Sequence, residues 1–385
     1  MRRVPRSLLG FSRPMPSDDR RRVLFVSTAL SVGGAERFVA TVLQHLDQAR
    51  FTPHLALLHR HPADPAPEGV AVATLGKQHA WQIPAAIVRL ARLVDALRPH
   101  AVMSAFAHPN WITGCALAVA RHRPGWIARV SSPPALTDPG WLRPAMRHFY
   151  ARADRVVANA EALAELTERV YPQAGAVTYL PNATDFDRID ALAAEPVPSR
   201  PPGRHRVLAA GRLVPEKRFD LLLEAAAHLS GSVDLEVVIC GEGRERPRLE
   251  TQARELGLEK RVRLCGFVEN PWAWMASADA FALTSDMEGL PNALIEAQGL
   301  GLAAVATDCP TGPAEVIATG ETGLLVPPGD SAALATALGA LLADTASRRA
   351  MGAAGRERAR ARYAAPAATK TLEDLLVAVS RPLPE

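Results

Sequence analysis

Two glutamates bracket a short stretch late in the chain, EGLPNALIE, which runs from Glu288 to Glu296. The stretch follows AFALTS, a run typical of a β-strand, and the segment Leu290, Pro291 and Asn292 opens a helix with proline near its first position. The first-turn N–H groups of a helix are unsatisfied and attract phosphate. Glu296, inside this helix, can accept hydrogen bonds from a ribose, and Glu288 lies toward the sugar. The spacing suits a nucleotide-sugar. The alternative is a helix-capping acid at Glu288 and a surface residue at Glu296.

Two cations precede this pair in AAGRLVPEKRFDLLLEA, where Arg212 and Lys217 share a loop between a strand and a helix that starts near Phe219. Arginine offers a bidentate fork and lysine a point charge, so the two together can neutralise a diphosphate. The alternative is a pair of solvated surface charges.

A glycine pair follows the first strand, in STALSVGGAERF. Gly33 and Gly34 would let the backbone approach a ligand at a helix N-terminus. The segment lacks G-x-G-x-x-G, and the second strand, HLALLHR, ends on a basic residue. A plain strand-to-helix turn therefore fits equally well, and a dinucleotide-dependent dehydrogenase is disfavoured.

The elements that must position these residues alternate regularly along 385 residues, a length that suggests two domains. Strand-like runs from RVLFVSTA to RVVANA alternate with helical segments such as PAAIVRLARLVDALRP, and the alternation restarts at RVLAAGR. We predict an α/β protein with two doubly wound, Rossmann-like domains, at 22–184 and 206–362, facing a cleft. A Pro-rich linker would span 185–205.

Composition excludes other classes. The net charge is only +4, with much of the excess in the first 22 residues, so a nucleic-acid-binding face is not expected. The four cysteines are far apart and indicate reduced thiols in a cytoplasmic protein. No apolar run reaches the roughly 20 residues that span a bilayer. The basic tail, 1–21, is expected to be disordered, with peripheral contact to anionic lipid at the cytoplasmic face of the inner membrane as the alternative.

Several motifs together resemble the retaining glycosyltransferases of family four, which have the GT-B fold. They are GGAER, AGRLVPEKRFDLLLEA, CGEGRERPRLE, SDMEGLPNALIEAQGLGLAAVATDCPTGPAEVI and TGLLVPPGD. The resemblance runs from about residue 22 to about residue 363 and is densest from 206 to 330. It favours the functional interpretation of Glu288 and Glu296 over the structural one.

The resemblance implies a role for each residue of the second domain. Arg212 and Lys217 would hold the donor diphosphate and stabilise charge on the leaving group. Glu296 would bind the ribose, and Glu288 would hydrogen-bond the transferred sugar. The N–H groups around Gly289 and Leu290 would bind sugar and phosphate, while Gly241 to Gly243 would pass near the nucleotide base.

The resemblance makes the first domain the acceptor side and the second domain the nucleotide-sugar-binding side. In the first domain it assigns Gly33 and Gly34 to close backbone approach. His108, in SAFAHPNW, matches the histidine that contacts the donor sugar near its 6-hydroxyl. Arg129 and Ser131, in ARVSSPP, fall where many relatives have a Glu-Arg-containing stretch. The motif is degenerate in this chain, so it assigns them no role.

The implied reaction transfers a hexose with retention of configuration, from a UDP-sugar to a glycan or lipid-linked acceptor in surface-polysaccharide or glycolipid synthesis. The nucleotide-sugar would be a substrate, and no cofactor is expected. No Asp-x-Asp of the kind that metal-dependent transferases use follows a strand, so we predict metal independence. A nucleotide-sugar epimerase or a non-catalytic nucleotide-sugar-binding protein stays open. A glycan phosphorylase of the best-known type needs a lysine-bound pyridoxal phosphate, and no motif in the chain suggests one. The final segment, 363–385, would pack back on the first domain through Leu372, Leu375 and Leu376.

Overall fold

A computed structural model describes residues 20–30, 34–60, 68–134 and 138–383. The chain forms two compact units. The first comprises residues 1–183 together with 365–385, and the second comprises 184–364. Each has its own parallel sheet, as the predicted fold class requires.

The described part of the first unit contains a seven-stranded sheet of order β3-β2-β1-β4-β5-β6-β7. Its strands are β1 (Arg21–Ser27), β2 (Phe51–Leu57), β3 (Ala71–Thr74), β4 (Ala101–Ala105), β5 (Gly125–Val130), β6 (Arg155–Ala158) and β7 (Thr178–Tyr179). All neighbours pair in parallel. Strands β4 and β5 are buried along their whole length, because helices cover both faces of such a sheet.

The second unit contains a six-stranded parallel sheet of order β10-β9-β8-β11-β12-β13, the order of a doubly wound nucleotide-binding fold. Its strands are β8 (His205–Ala210), β9 (Leu235–Cys240), β10 (Val262–Gly266), β11 (Ala280–Leu283), β12 (Ala304–Thr307) and β13 (Gly323–Val326). Every strand that we predicted from the sequence is present.

Helices connect the strands within each unit. In the first unit they are α1 (Gly34–His45), α2 (Ile83–Leu97), α3 (Ala107–Val119), α4 (Arg143–Tyr150) and α5 (Glu161–Val170). In the second they are α6 (Phe186–Ala193), α7 (Phe219–Leu229), α8 (Arg246–Glu255), α9 (Pro271–Ala276), α10 (Asn292–Gly299), α11 (Pro313–Val316), α12 (Ser331–Ala343) and α13 (Thr345–Tyr363). None of the helices in the described ranges combines the length and apolar character that a transmembrane span requires.

The structure differs from the prediction in the Pro-rich segment 185–205. This segment starts with helix α6, which belongs to the second unit. The Asp185 side chain caps it by accepting a hydrogen bond from the Arg188 N–H at 3.0 Å. The Phe186 ring packs against Gly299, where any side chain would clash with it. Only the remainder, from Ala194, is irregular.

The structure describes the C-terminal end of the chain but not most of the predicted N-terminal tail. Residues 1–19 of the predicted basic tail lie outside the described residues, and Arg21 already opens β1. The last helix, α14 (Ala365–Val379), packs in the first unit. Leu372 and Leu376 are fully buried in the same apolar cluster as β1 and β4. Glu373 accepts a hydrogen bond from the Asp47 N–H at 2.9 Å.

Candidate active site

The strand order of the second unit reverses between β8 and β11, which are neighbours in the sheet. The connections from these two strands therefore leave the same edge of the sheet and turn in opposite directions. Ligands of doubly wound sheets bind at this switch point. Arg212 and Lys217 lie after β8, and Glu288 lies after β11. The topology thus explains why residues far apart in the sequence come together.

Lys217 and Glu288 form an ion pair. The lysine Nζ donates to Oε1 of the glutamate at 2.6 Å. The Lys217 side chain stays 24% exposed and that of Glu288 9% exposed. An ammonium group has three donors, so Lys217 can keep this bond and still donate to a phosphate oxygen.

Three hydroxyl groups with no strong signal in the sequence hold this pair. Ser285 Oγ donates to the same Oε1 of Glu288 at 2.6 Å. Thr284 Oγ1 donates to the Lys217 carbonyl at 2.7 Å, and Thr311 Oγ1 donates to the Glu288 carbonyl. Only the three-residue spacing of Ser285 and Glu288 could have indicated a contact. The two threonine contacts join residues that are 67 and 23 positions apart.

The turn between Glu288 and helix α10 is covered by a second segment. Gly289 and Leu290 are buried there. Gly312 lies against the turn with a φ of 95°, and a Cβ at this position would approach the Gly289 carbonyl oxygen to 2.6 Å and Pro291 Cδ to 2.8 Å. Only glycine fits this conformation and this space.

The Arg212 side chain is exposed and has no hydrogen bond or ion pair with any described residue. The backbone beneath it is tightly fixed. A Cβ on Gly241 would overlap the carbonyl oxygen of Gly211, and a Cβ on Gly243 would overlap that of Leu213. The two glycines of CGEGR therefore allow the loop after β9 to support the loop that carries Arg212.

Glu296 is buried on helix α10, with 6% of its surface exposed. The indole Nε1 of Trp272, on helix α9, donates to its Oε2 at 2.9 Å. The alternative of a surface glutamate is therefore wrong. Helix α10 begins at Asn292, and Pro291 is its N-cap. The sequence predicts this proline near the first helical position, whereas it lies one position before the helix.

A cavity of about 450 Å³ in the second unit does not include the predicted donor residues. Arg218 and Asp286 line it and are paired with each other at 3.2 Å. Arg218 also pairs with Asp220 at 3.1 Å. The charges of this wall are paired with one another, whereas the loop that carries Lys217 also carries Arg212, which has no partner among the described residues. The Lys217–Glu288 pair with Arg212 is therefore the better candidate for a substrate site.

The first unit has the same switch point, between β1 and β4. Gly33 lies outside the described residues, and Gly34 is the first residue of α1. His108 is the second residue of α3 and is exposed, with its ring 6.3 Å from that of Trp111. Phe106, just before this helix, has a φ of 81°, which is strained for a residue other than glycine.

Electrostatics favour the neutral form of His108. Its pKa lies below the ordinary value, mainly because desolvation disfavours the charged ring. The positive charge of Lys77 lowers the pKa further, and the negative charge of Asp138 opposes this effect. The charges of Lys77 and Asp138 therefore act on His108 in opposite directions.

No group of three or more His, Cys, Asp or Glu residues in the described part of the chain is arranged to hold a metal ion. The four cysteines are free thiols; Cys240 and Cys309 are buried, whereas Cys115 and Cys265 are half-buried. Desolvation and, secondarily, the charge of Glu288 raise the pKa of Cys309 to about 12.

Two family models match the chain in sequence. The model described as Glycosyl transferases group 1 matches residues 194–358, and that described as Glycosyltransferase Family 4 matches residues 32–188. Together they cover most of both units.

Curated relatives agree with these matches. One is N-acetylgalactosamine-N,N'-diacetylbacillosaminyl-diphospho-undecaprenol 4-alpha-N-acetylgalactosaminyltransferase of Campylobacter jejuni, 34% identical over 215 residues, which are 55% of this chain and 57% of the relative. Another is the lipopolysaccharide core biosynthesis glycosyltransferase LpsE of Rhizobium meliloti, 31% identical over 194 residues, 50% of this chain and 53% of the relative. The chain thus spans about half the length of the curated relatives it matches.

Solved structures resemble the fold over nearly the whole chain. HepE of Anabaena, in complex with UDP and glucose, has a TM-score of 0.77 at 20% identity, covering 93% of this chain and 100% of that one. Sucrose-phosphate synthase of Thermosynechococcus elongatus has a TM-score of 0.80 at 20% identity, with 93% and 99% covered. With two sheets of doubly wound order and both family models matched, the chain belongs to the GT-B glycosyltransferases of the group 1, family 4 type.

Proposed function

We propose that the protein transfers a hexose from a UDP-sugar to a glycan or lipid-linked acceptor, with retention of configuration and without a metal ion. The observation that carries the proposal is the Lys217–Glu288 pair at the switch point of the second unit, with Arg212 in the same loop as Lys217. One cation is already positioned by a carboxylate, and the other is uncompensated by the described residues.

Cleavage of the sugar–phosphate bond develops negative charge on the diphosphate. Arg212 and Lys217 stabilise this charge, and the N-terminus of helix α10 adds its dipole. Lys217 does so without leaving Glu288, since its remaining N–H groups donate to phosphate oxygens. The presence of two cations supports the proposal that no metal ion is required.

Glu288 is proposed to act on the transferred sugar. Its Oε1 accepts the bonds from Lys217 and Ser285, and no donor among the described residues bonds to its Oε2. One oxygen is thus used for orientation, and the other is left for a sugar hydroxyl. Glu296 is proposed to bind the ribose. Trp272 donates a hydrogen bond to the Glu296 carboxylate and fixes the orientation of that group.

The proposed mechanism needs no protein base. The acceptor oxygen attacks the face that the diphosphate leaves, and the departing phosphate oxygen takes its proton. His108, kept neutral, is proposed to hydrogen-bond the donor sugar near its 6-hydroxyl. A neutral imidazole both donates and accepts hydrogen bonds, which suits a hydroxyl.

The relatives support the proposed acceptor class. The names of the two relatives above refer to a diphospho-undecaprenol acceptor and to the lipopolysaccharide core. We propose a cytoplasmic enzyme of surface-glycan assembly, working at the membrane face where lipid-linked acceptors are presented. Peripheral contact with that membrane is part of this proposal.

The test has two stages. A thermal-shift screen of nucleotide-sugars should identify a UDP-sugar that raises the melting temperature. Transfer of the sugar labelled with ¹³C at the anomeric carbon is then followed by NMR in excess chelator. We expect a product with the donor's anomeric configuration. Binding without transfer would favour a non-catalytic binding protein, and epimerised free donor would favour an epimerase. Transfer that stops in chelator and returns with Mg²⁺ would contradict metal independence.

A further inference from the structure

Arg129 is a fully buried arginine without a carboxylate partner. Its exposed surface is 0%, and no carboxylate of the described residues forms an ion pair with it. Instead Nη1 donates to Ser131 Oγ at 2.6 Å and Nη2 donates to Asn182 Oδ1 at 2.7 Å. The guanidinium also stacks on the Phe38 ring, 3.7 Å from its centre. Burial of an uncompensated charge is costly, so a purely structural role would be better served by an apolar side chain.

The polar groups around Arg129 are incompletely satisfied. Arg129 Nε has no hydrogen-bond partner, and Asn159 Oδ1 has none either. The Asn159 amide Nδ2 donates to the Asn182 oxygen at 3.4 Å. Desolvation lowers the pKa of Arg129 to about 9, and it remains charged at neutral pH.

The topology places this cluster where ligands bind. Ser131 follows the end of β5, Asn159 follows the end of β6, and Asn182 lies after β7, three consecutive strands of the first sheet. Carboxyl ends of parallel strands share one edge of the sheet, which is the ligand edge in doubly wound folds. The polar cluster around Arg129 therefore lies at the edge of the sheet where ligands bind, rather than elsewhere in the core.

Ser131 is the group through which the buried charge can act. A guanidinium only donates hydrogen bonds, so the Ser131 oxygen must be the acceptor in their contact. Its own O–H remains available to donate, because no described residue accepts it. Ser131 keeps 8% of its surface exposed, whereas Arg129 has none. A hydroxyl polarised by a cation behind it is a donor suited to an anion.

We propose that Ser131, polarised by Arg129, binds a phosphate oxygen of the acceptor at the carboxyl edge of the first sheet. Arg129 is a positioning residue that fixes the direction of the hydroxyl and supplies the positive field. The inference rests on the proposed function only in naming the acceptor as the source of the phosphate. That the cluster is positively charged and offers a hydrogen-bond donor follows from the contacts of Arg129 and Ser131 themselves.

The experiment measures anion binding without transfer, so its failure is distinct from failure of the proposed function. Inorganic pyrophosphate and geranyl diphosphate are titrated into the R212A/K217A chain, which lacks the two cations of the proposed donor site. We expect S131A in this background to weaken binding by about 10-fold, and R129M by at least as much. S132A, which alters the neighbouring half-buried serine, should leave the affinity unchanged.

The two probes distinguish the sources. Binding of both supports a lipid-linked diphosphate as ligand, and binding of pyrophosphate alone supports a free phosphate in the same site. The melting temperature of R129M should equal or exceed that of the parent chain, because an apolar side chain replaces an uncompensated charge. Absence of binding of both probes, or an affinity unchanged in S131A, overturns the proposal. S131A keeps the test decisive if R129M fails to fold.

Discussion

At the residue scale, the candidate active site depends on a carboxylate oxygen that two donors share. Glu288 Oε1 accepts hydrogen bonds from Lys217 and Ser285, each at 2.6 Å. This fixes the carboxylate and at the same time holds Lys217 within reach of a ligand. Arg212 has no such restraint among the described residues, so its order in a complex would come from the diphosphate itself.

The two cations should contribute directly to turnover. We expect R212A and K217A each to reduce kcat by on the order of 10²-fold, as for loss of one donor that stabilises charge in the transition state. Both side chains are at least partly exposed, so the fold should survive. Steady-state kinetics with the identified donor are compared with K260A, which removes an exposed lysine outside the site. If all three variants matched the parent chain, the diphosphate assignment would be lost.

The titration of His108 tests its electrostatic surroundings. We expect the NMR titration midpoint of its ring to lie below the ordinary value of 6.5, to rise in K77M and to fall in D138N. Because the folded pKa is lowered, the associated stability is present above that ordinary value and is lost as the pH falls below it. H108Q assigns the resonance. Equal midpoints in the parent chain and both charge variants would show that neither neighbour acts on the ring.

At the element scale, the site is assembled by loops that support one another. The loop after β9 packs under the Arg212 loop through Gly241 and Gly243, and the Gly312 segment packs on the turn before α10. These contacts are between backbones, so side-chain flexibility cannot relieve an added methyl group. Lys217 and Glu288 are therefore held by the geometry of the connections as well as by their own bonds, whereas Arg212 is held only through its backbone.

Alanine at Gly241 should accordingly damage the site. A Cβ there meets the Gly211 carbonyl, so we expect a loss of about 1–3 kcal/mol in the free energy of unfolding and weaker binding of UDP. Gly231 offers a matched control, because its Cβ would have nothing within 4 Å. Urea unfolding and UDP titration compare G241A with G231A. Indistinguishable behaviour of the two variants would mean that the loops are not in close contact.

The C-terminal helix allows a second test at this scale. Leu372 is fully buried in the first unit, whereas Leu375 is only partly buried. We expect L372A to cost about 2–5 kcal/mol, measured by hydrogen exchange of the β1 and β4 amides, because it leaves a cavity in that core. L375A should cost less. A larger loss in L375A would contradict the observed packing of α14.

At the scale of the whole molecule, each unit repeats one topology, in which the strand order reverses next to the first strand of the unit. This repetition was predictable, because apolar runs that suit buried parallel strands alternate with amphipathic helices. Strand β7 was not, since its two residues give no periodic pattern. Helix α6 was missed because Pro and charged residues dominate 185–205, although Asp185 and the spacing of Phe186 and Ile189 are consistent with a capped helix.

The site itself was predictable only in part. Motifs identified Arg212, Lys217 and the glutamates, because those residues stand in a recognisable local pattern. Trp272 and Thr311 act through contacts that join distant segments, and no local pattern indicates such contacts. The pairing of Lys217 with Glu288 also depends on the adjacency of β8 and β11, which only the folded sheet reveals.

In the proposed donor complex, the switch point of the second unit binds the donor, with Glu296 on the nucleotide and Glu288 on the sugar. Calorimetric titration of UDP into the parent chain, E296A and E288Q tests this orientation of the donor. We expect E296A to weaken UDP binding by about one to two decades, the value of a hydrogen bond to a charged group. E288Q should bind UDP almost as the parent does, because the glutamine oxygen can still accept from Lys217, while its transfer rate falls steeply. Loss of UDP binding in E288Q with unchanged binding in E296A would contradict this orientation of the donor.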